Sequence, residues 1–524
     1  MRDGSLPFFS TVQHWIQLLT LPLERTIAAA AFFGALAATA AHAAPAEEAV
    51  MLTPPAPATP RLNGPKVYGV RPGSPFLYRI PATGAAPLAF AARGLPPGLS
   101  VDAATGIISG EVGKEGVWRA TLTAKNARGK AKRELRIVAG ETLALTPPMG
   151  WNSWYIHYNR VSQALMEQAA DQMIATGMAN YGYQYVNIDD CWMKKQGDEP
   201  YRGPDGAVLP NAKFPDMKGL AGYIHAKGLK AGLYTSPGPW TCGGYAGAYQ
   251  HEEADAREFA DWGFDFLKYD WCSYESVAGT NSADRFQRPY LQMRDELHKL
   301  KRDIVFNLCQ YGMDEVWKWG GQVGNSWRTT GDLGLERGSR LPGFYSIAFS
   351  NARHWAFAKP GGWNDPDYIL IGWVGDAQGM GQGTPTSLTP DEQYSYMSLW
   401  CLMAAPLIFS GDMAKLDAFT LNVLCNCEVI DVDQDALGRQ ARIVKQTDDE
   451  LILLKDMEDG SRALGLFNLA SGVQTLSVSW ADLGLPQRQK VRDLWRQVDL
   501  GAFAGGFAAG VPRHGVALLR LSGK

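Results

Sequence analysis

Between residues 149 and 413 the chain repeats one device eight times: a short apolar run that stops at polar or charged residues, with helical patterning in the gaps. The runs are "MGWNSW" (149–154), "YQYVNIDDCW" (183–192), "KAGLYTS" (230–236), "FDFLKYDWC" (264–272), "IVFNLCQYG" (304–312), "NSWRTTGDL" (325–333), "GWNDPDYIL" (362–370) and "PLIFSGDM" (406–413). Stretches such as "SQALMEQAADQMIATGM" and "FPDMKGLAGYIHAKG" supply the helices. Strands alternating with helices imply a parallel sheet. Eight such units predict a (β/α)₈ TIM barrel, whose chemistry sits at the C-terminal ends of its strands. There strand two ends in Asp189 and Asp190, strand four in Lys268 and Asp270, strand six in Arg328 and Asp332, and strand seven in Asp365 and Asp367. Four strand ends thus converge with carboxylates and two cations, a placement that unrelated structural ion pairs would rarely repeat.

The barrel is predicted over residues 140–437 of a multidomain chain. Ahead of it, residues 67–139 show short period-2 segments broken by Gly and Pro, which predicts an Ig-like β-sandwich. Its stretch "GLPPGLSVDAATGIISGEV" resembles a bacterial Ig-like repeat fused to exported proteins, which implies a spacer or adhesive role. A Pro/Ala-rich linker, 45–66, precedes it. After the barrel, alternation returns over 438–524 and predicts a C-terminal antiparallel β-sandwich. At the N-terminus, Arg25, an apolar stretch from Ile27 to Ala40 and the small residues of "AHAAPA" read as a secretory signal over 1–44, cleaved near Ala43 or Ala44. An uncleaved anchor is the rival, and the segment is short for a bilayer span. The expected location is periplasmic or extracellular, with no membrane span in the mature chain.

A formal net charge of -3 gives no basic field for nucleic acid, so a polyanion partner is not expected. An odd count of seven cysteines leaves at least one thiol unpaired in an exported chain. Cys425 and Cys427 in "LCNC" are too sparse for a zinc site, and "HEEAD" (251–255) fails the H-E-x-x-H pattern. Gly379, Gly381 and Gly383 in "QGMGQGTP" lack the strand, helix and Lys-Ser/Thr of a phosphate loop and read as a flexible loop.

Paired carboxylates, few histidines and abundant Trp and Tyr point to glycoside hydrolysis, which needs two carboxyl groups flanking the scissile bond. On strand four, alternation puts Phe264, Phe266, Lys268 and Asp270 on one face and Asp265, Leu267 and Tyr269 on the other. Asp270 is the candidate nucleophile. Lys268 either keeps it ionised or bonds sugar hydroxyls. Asp332 is the candidate acid/base, and must hold its proton before attack. Arg328 either binds a hydroxyl beside the reacting carbon or braces the strand end. Asp189 and Asp190 are acceptors suited to sugar hydroxyls, against a turn or N-cap role.

The motifs "MGWNSW", "NIDDCW", "LKYDWC", "SWRTTGD", "GGWNDPD" and "SLWCLMAAPLIFSGDM" resemble those of family 27 glycoside hydrolases, the retaining α-galactosidases and α-N-acetylgalactosaminidases. The resemblance spans about residues 143–440 and adds a C-terminal β-domain. It implies Asp270 as nucleophile, Asp332 as acid/base, and Asp189 and Asp190 on the 4- and 6-hydroxyls. It also implies Lys268 and Tyr234 in the pocket, Arg328 near the 2-hydroxyl, Trp154 against the apolar sugar face, Asp367 as a brace, and no metal or organic cofactor. A family disulfide matches Cys242 and Cys272. The second family bridge has no partner for Cys191, which is left free, and Cys309, Cys401, Cys425 and Cys427 are unassigned.

Two departures bear on the substrate. The family's usual C-E-W is Cys309-Gln310-Tyr311 here, which makes Gln310 a candidate for reading the 2-position. Trp271 follows the nucleophile, where it narrows the leaving-group side or packs outside the barrel. The expected substrate is a terminal α-D-galactoside. The alternatives are α-N-acetylgalactosamine, β-L-arabinopyranose, an isomalto-glucan, or a carbohydrate-binding protein on a silenced barrel.

Overall fold

The computed structural model describes residues 50–279, 284–333, 340–375 and 382–523. The secretory signal and two of the three loop glycines, Gly379 and Gly381, lie outside these residues. All eight predicted runs form parallel strands: Met149–Asn152, Tyr185–Asn187, Lys230–Thr235, Phe266–Asp270, Val305–Cys309, Ser326–Arg328, Trp363–Asp365 and Leu407–Phe409. Their sheet order is 7-6-5-4-3-2-1-8. A single parallel bridge from Ile369 to Phe409 spans strands seven and eight and closes the barrel. In-register pairs bring the polar ends level, with Tyr234 beside Lys268, Asp270 beside Cys309 and Arg328 beside Asp365. Crowding of the interior fixes a glycine at strand three, because a Cβ on Gly232 would lie 2.0 Å from the Asn187 Oδ1 of strand two.

The helices begin where side chains satisfy their first N–H groups. Ser162 caps Gln163–Ala175, Asp216 caps Met217–His225, and Thr389 with Glu392 forms a capping box on Pro390–Leu402. That last helix is buried from Glu392 to Leu402, because it lies between the barrel and the C-terminal domain. Ser395 donates to the His514 carbonyl (2.7 Å), Ser398 accepts from Trp495 Nε1 (2.9 Å), and Trp400 Nε1 donates to the Asp367 carbonyl (2.8 Å). The C-terminal domain is a six-stranded antiparallel sheet faced by a two-stranded one, around Ile452, Leu464, Leu476 and Trp480.

The N-terminal module packs a four-stranded sheet on a three-stranded one around Phe76, Tyr78, Leu122 and Ile137. The described part of the stretch read as linker is tied down at two points. Thr53 exchanges hydrogen bonds with Asn422 (3.0 and 2.7 Å), and Arg61–Leu62 pairs with Ala82–Thr83. Arg71 holds the module to the barrel through Asp303 (2.9 Å) and the carbonyls of His298 and Leu300 (3.3 and 3.1 Å). Cys242 and Cys272 form the expected disulfide, whereas Cys191, Cys309, Cys401, Cys425 and Cys427 are free and buried. Among the described residues no helix is long and apolar enough to cross a membrane.

The Arg71 and Asp303 side chains are only 11% and 14% exposed, so removing one partner strands the other. Arg71→Ala is expected to cost about 3 kcal/mol of stability in denaturant unfolding. An unchanged midpoint would mean that this contact does not anchor the module.

Candidate active site

Strand ends one, two and four build one wall. Asp189 Oδ2 accepts from Asn152 Nδ2 (2.9 Å), Lys268 Nζ (2.9 Å) and the Tyr368 hydroxyl (3.2 Å). Burial works against the Lys268 charge, but Asp189 first, with Tyr368, Cys309 and Asp270 adding to it, holds the ammonium well above its ordinary pKa. Asp190 accepts from the backbone N–H groups of Cys191 (2.6 Å) and Gly243 (2.7 Å). Burial pushes its carboxyl up to about 7, against those donors. Trp154 stands half-buried beside them, its ring centroid 5.9 Å from Lys268 Nζ.

Asp270 is buried at the end of strand four. The Tyr311 hydroxyl donates to its Oδ1 at 2.6 Å and the Tyr234 hydroxyl to its Oδ2 at 3.2 Å. Burial and the Asp270 charge push both phenols up, so they keep their protons and remain donors. Burial likewise raises the Asp270 carboxyl, while Lys268 pulls it down, Asp332 pushes it up and the Tyr311 bond pulls it down. Lys268 favours the carboxylate form of Asp270 through its field, while its direct ion-pair partner is Asp189. The disulfide lies against the same group, with Tyr234 Oη 3.4 Å from Cys272 Sγ. Cys242, Cys272 and Asp270 have metal-like spacing, but the two sulfurs are bonded to each other and offer no thiolate.

Gln310 does not join the site. Its side chain is fully buried, its amide nitrogen faces the Phe286 carbonyl (3.5 Å), and the side chain that reaches Asp270 is that of its neighbour Tyr311. Trp271 packs outside the barrel, stacked on Tyr290 and tilted against Phe286.

The opposite wall is built on Arg328. Its Nη2 reaches Asp332 Oδ1 (3.2 Å) and Asp367 Oδ2 (3.1 Å), and its Nη1 reaches Cys309 Sγ (3.7 Å), the strand partner of Asp270. Asp332 is half-buried, whereas Arg328 and Asp367 are buried. Asp367 Oδ2 also accepts from the Tyr155 hydroxyl (2.6 Å) and from the backbone N–H of Leu333 (2.9 Å), the residue after Asp332. Asp365 Oδ1 accepts the Asp367 N–H (2.9 Å) and Oδ2 the Asn307 amide (2.8 Å). Two carboxyl groups, Asp270 at the end of strand four and Asp332 just past strand six, are thus near enough for the Asp332 charge to act on Asp270, and each is held by named donors. That arrangement suits an attacking carboxylate and a proton donor.

A model of alpha galactosidase A matches residues 146–435, and one of the alpha galactosidase C-terminal beta sandwich domain matches 448–521. The chain belongs to the alpha-galactosidase family. An Ig domain model matches 59–139. The alpha-galactosidase of Cyamopsis tetragonoloba is 37% identical over 412 residues, 77% of this chain and 93% of its own. The solved alpha-galactosidase I of Mortierella vinacea superposes with a TM-score of 0.65 at 31% identity, covering 73% of this chain and 98% of its own. A solved structure from Bacteroides fragilis covers 90% of this chain and 99% of its own, with a TM-score of 0.82 at 35% identity.

Within this alpha-galactosidase fold the site gathers Trp154, Asp189, Asp190, Tyr234, Lys268, Asp270, Arg328, Asp332 and Asp367, and leaves out Gln310. Sequence reasoning missed Asn152, Tyr155, Tyr311 and Tyr368. Alternation offered a signal for one of them: Asn307, Cys309 and Tyr311 share a parity, and Cys309 pairs with Asp270. Tyr311→Phe keeps the ring and loses a donor that favours the carboxylate form of Asp270. The acid limb of kcat/KM is expected to move to higher pH, with roughly a tenfold loss on that limb. An unmoved limb would reduce Tyr311 to packing.

Proposed function

We propose that this protein is a retaining, exo-acting hydrolase that releases terminal α-D-galactose from oligo- or polysaccharides. The observation that carries the proposal is the buried Asp270 carboxyl, held by two phenol donors and set across from Asp332 on its arginine. Asp270 attacks the anomeric carbon as the bond to the leaving oxygen breaks, and Asp332 delivers a proton to that oxygen. The product of this step is a galactosyl ester of Asp270. Asp332, now a carboxylate, takes a proton from water, whose oxygen attacks the same carbon and displaces Asp270. Two inversions leave the anomeric configuration retained.

Asp189 and Asp190 support a sugar with an axial 4-hydroxyl and a 6-hydroxyl, since protein donors already aim both carboxyl groups. The Tyr311 ring beside the nucleophile favours a small 2-hydroxyl over an acetamido group, because the 2-substituent adjoins the reacting carbon. Export belongs to the same proposal, and the disulfide supports it, since such bonds persist outside the cytosol.

The test compares aryl α-D-galactopyranoside, aryl 2-acetamido-2-deoxy-α-D-galactopyranoside and aryl β-L-arabinopyranoside, with Asp332→Ala beside the unaltered protein. The galactoside is expected to have the highest kcat/KM. Asp332→Ala is expected to lose about 10³-fold on an alkyl galactoside and far less on an activated aryl one. Preference for either other sugar would overturn the substrate, and equal losses on both leaving groups would overturn the acid.

A further inference from the structure

The N-terminal module carries a charge that the whole-chain balance conceals. Residues 59–139 hold thirteen Lys and Arg against four Asp and Glu, although the full chain is formally -3. The excess gathers on one sheet face. Strands Gly116–Asn126 and Gly129–Ala139 pair with Lys125 opposite Lys130, Thr123 opposite Lys132 and Thr121 opposite Glu134. Strand Ala89–Arg93 continues these rows with Ala89, Ala91 and Arg93. Ala120, Leu122 and Ala124 fill the module's core, so the alternate residues Thr121, Thr123 and Lys125 and their partners form the outer face.

Within that face Arg119 is neutralised by Glu134, and Arg136 pairs with Glu458 of the C-terminal domain. Arg93, Lys125, Lys130 and Lys132, with Arg128 in the hairpin turn, are exposed and have no carboxylate at ion-pair distance among the described residues. Like charges directly opposite on a sheet are destabilising, so the Lys125–Lys130 row works against the module's own fold. A plain spacer gains nothing from it. Screening over about 8–10 Å lets these cations add to one another while the acidic remainder of the chain is largely shielded. The low net charge therefore does not exclude a polyanion at this face.

We propose that this face docks an acidic polysaccharide and so holds the barrel beside a glycan. Charge complementarity selects the anion, and the surface selects its kind. Ala89, Ala91, Thr121 and Thr123 lie between the cations, flat and small, with no aromatic ring on which a nucleobase could stack. The exposed large apolar residue on these strands is Val117 alone among the described residues, which is too little to insert into a lipid surface.

The test passes the full mature chain and a Lys125→Gln/Lys130→Gln/Lys132→Gln variant over immobilised polygalacturonate. Aryl α-galactoside hydrolysis is measured on both, so that a failure of docking is distinguished from a failure of the catalytic reading. The unaltered chain is expected to be retained at about 50 mM salt and released by about 0.5 M. The variant is expected to bind about tenfold or more weakly with hydrolysis unchanged. No retention of the unaltered chain, or equal retention of both, would overturn the proposal. So would tighter binding to phosphatidylglycerol vesicles or to a single-stranded oligonucleotide than to polygalacturonate.

Discussion

The ion pair between Lys268 and Asp189, 2.9 Å apart with side chains 7% and 2% exposed, is the interaction on which the site depends. A carboxylate so buried stays charged only if a cation and further donors replace its lost water. Asn152 and Tyr368 complete the set, so strands one, two and four and the segment after strand seven must arrive together for Asp189 to be satisfied. Removing Lys268 would leave an uncompensated buried charge, a loss of about 3–5 kcal/mol. The same ammonium projects a field on Asp270 that favours its carboxylate form, so the pair that satisfies Asp189 also acts on the neighbouring carboxyl group.

Arg328 repeats this logic on the other wall. It is shared by Asp332 and Asp367, and Asp367 is fixed in turn by Tyr155 and Leu333. Trp400 then links the Asp367 backbone to a helix that is buried between barrel and C-terminal domain. The second domain thus supports the strand-seven end through a buried helix, and Asp332 is held, through Arg328 and Asp367, by contacts that reach beyond the barrel.

Much of this was legible in the sequence because burial and alternation leave strong marks. Each of the eight apolar runs ends in polar residues at the level where the barrel opens, which located Asp189, Lys268, Asp270, Arg328 and Asp332. Gln310 was misplaced because it was read from its motif and not from its parity: Cys309 faces inward, so Gln310 turns outward and Tyr311 inward. Alternation put Lys268 on the face of Asp270, whose charge it does favour, but could not show its direct partner, Asp189, 79 residues away across a neighbouring strand. Asn152, Tyr155 and Tyr368 act through hydrogen bonds between distant segments, and no local pattern encodes such partners. The basic face of the first module was hidden by averaging charge over the whole chain.

The central claim is that Asp270 and Asp332 cleave a galactoside by two successive displacements. Proton NMR of the protein acting on an aryl α-D-galactopyranoside tests it most directly, by showing which anomer of galactose forms before mutarotation. The account predicts α-galactose first. β-Galactose first would contradict it, making Asp270 a base for water and the reaction a single inversion.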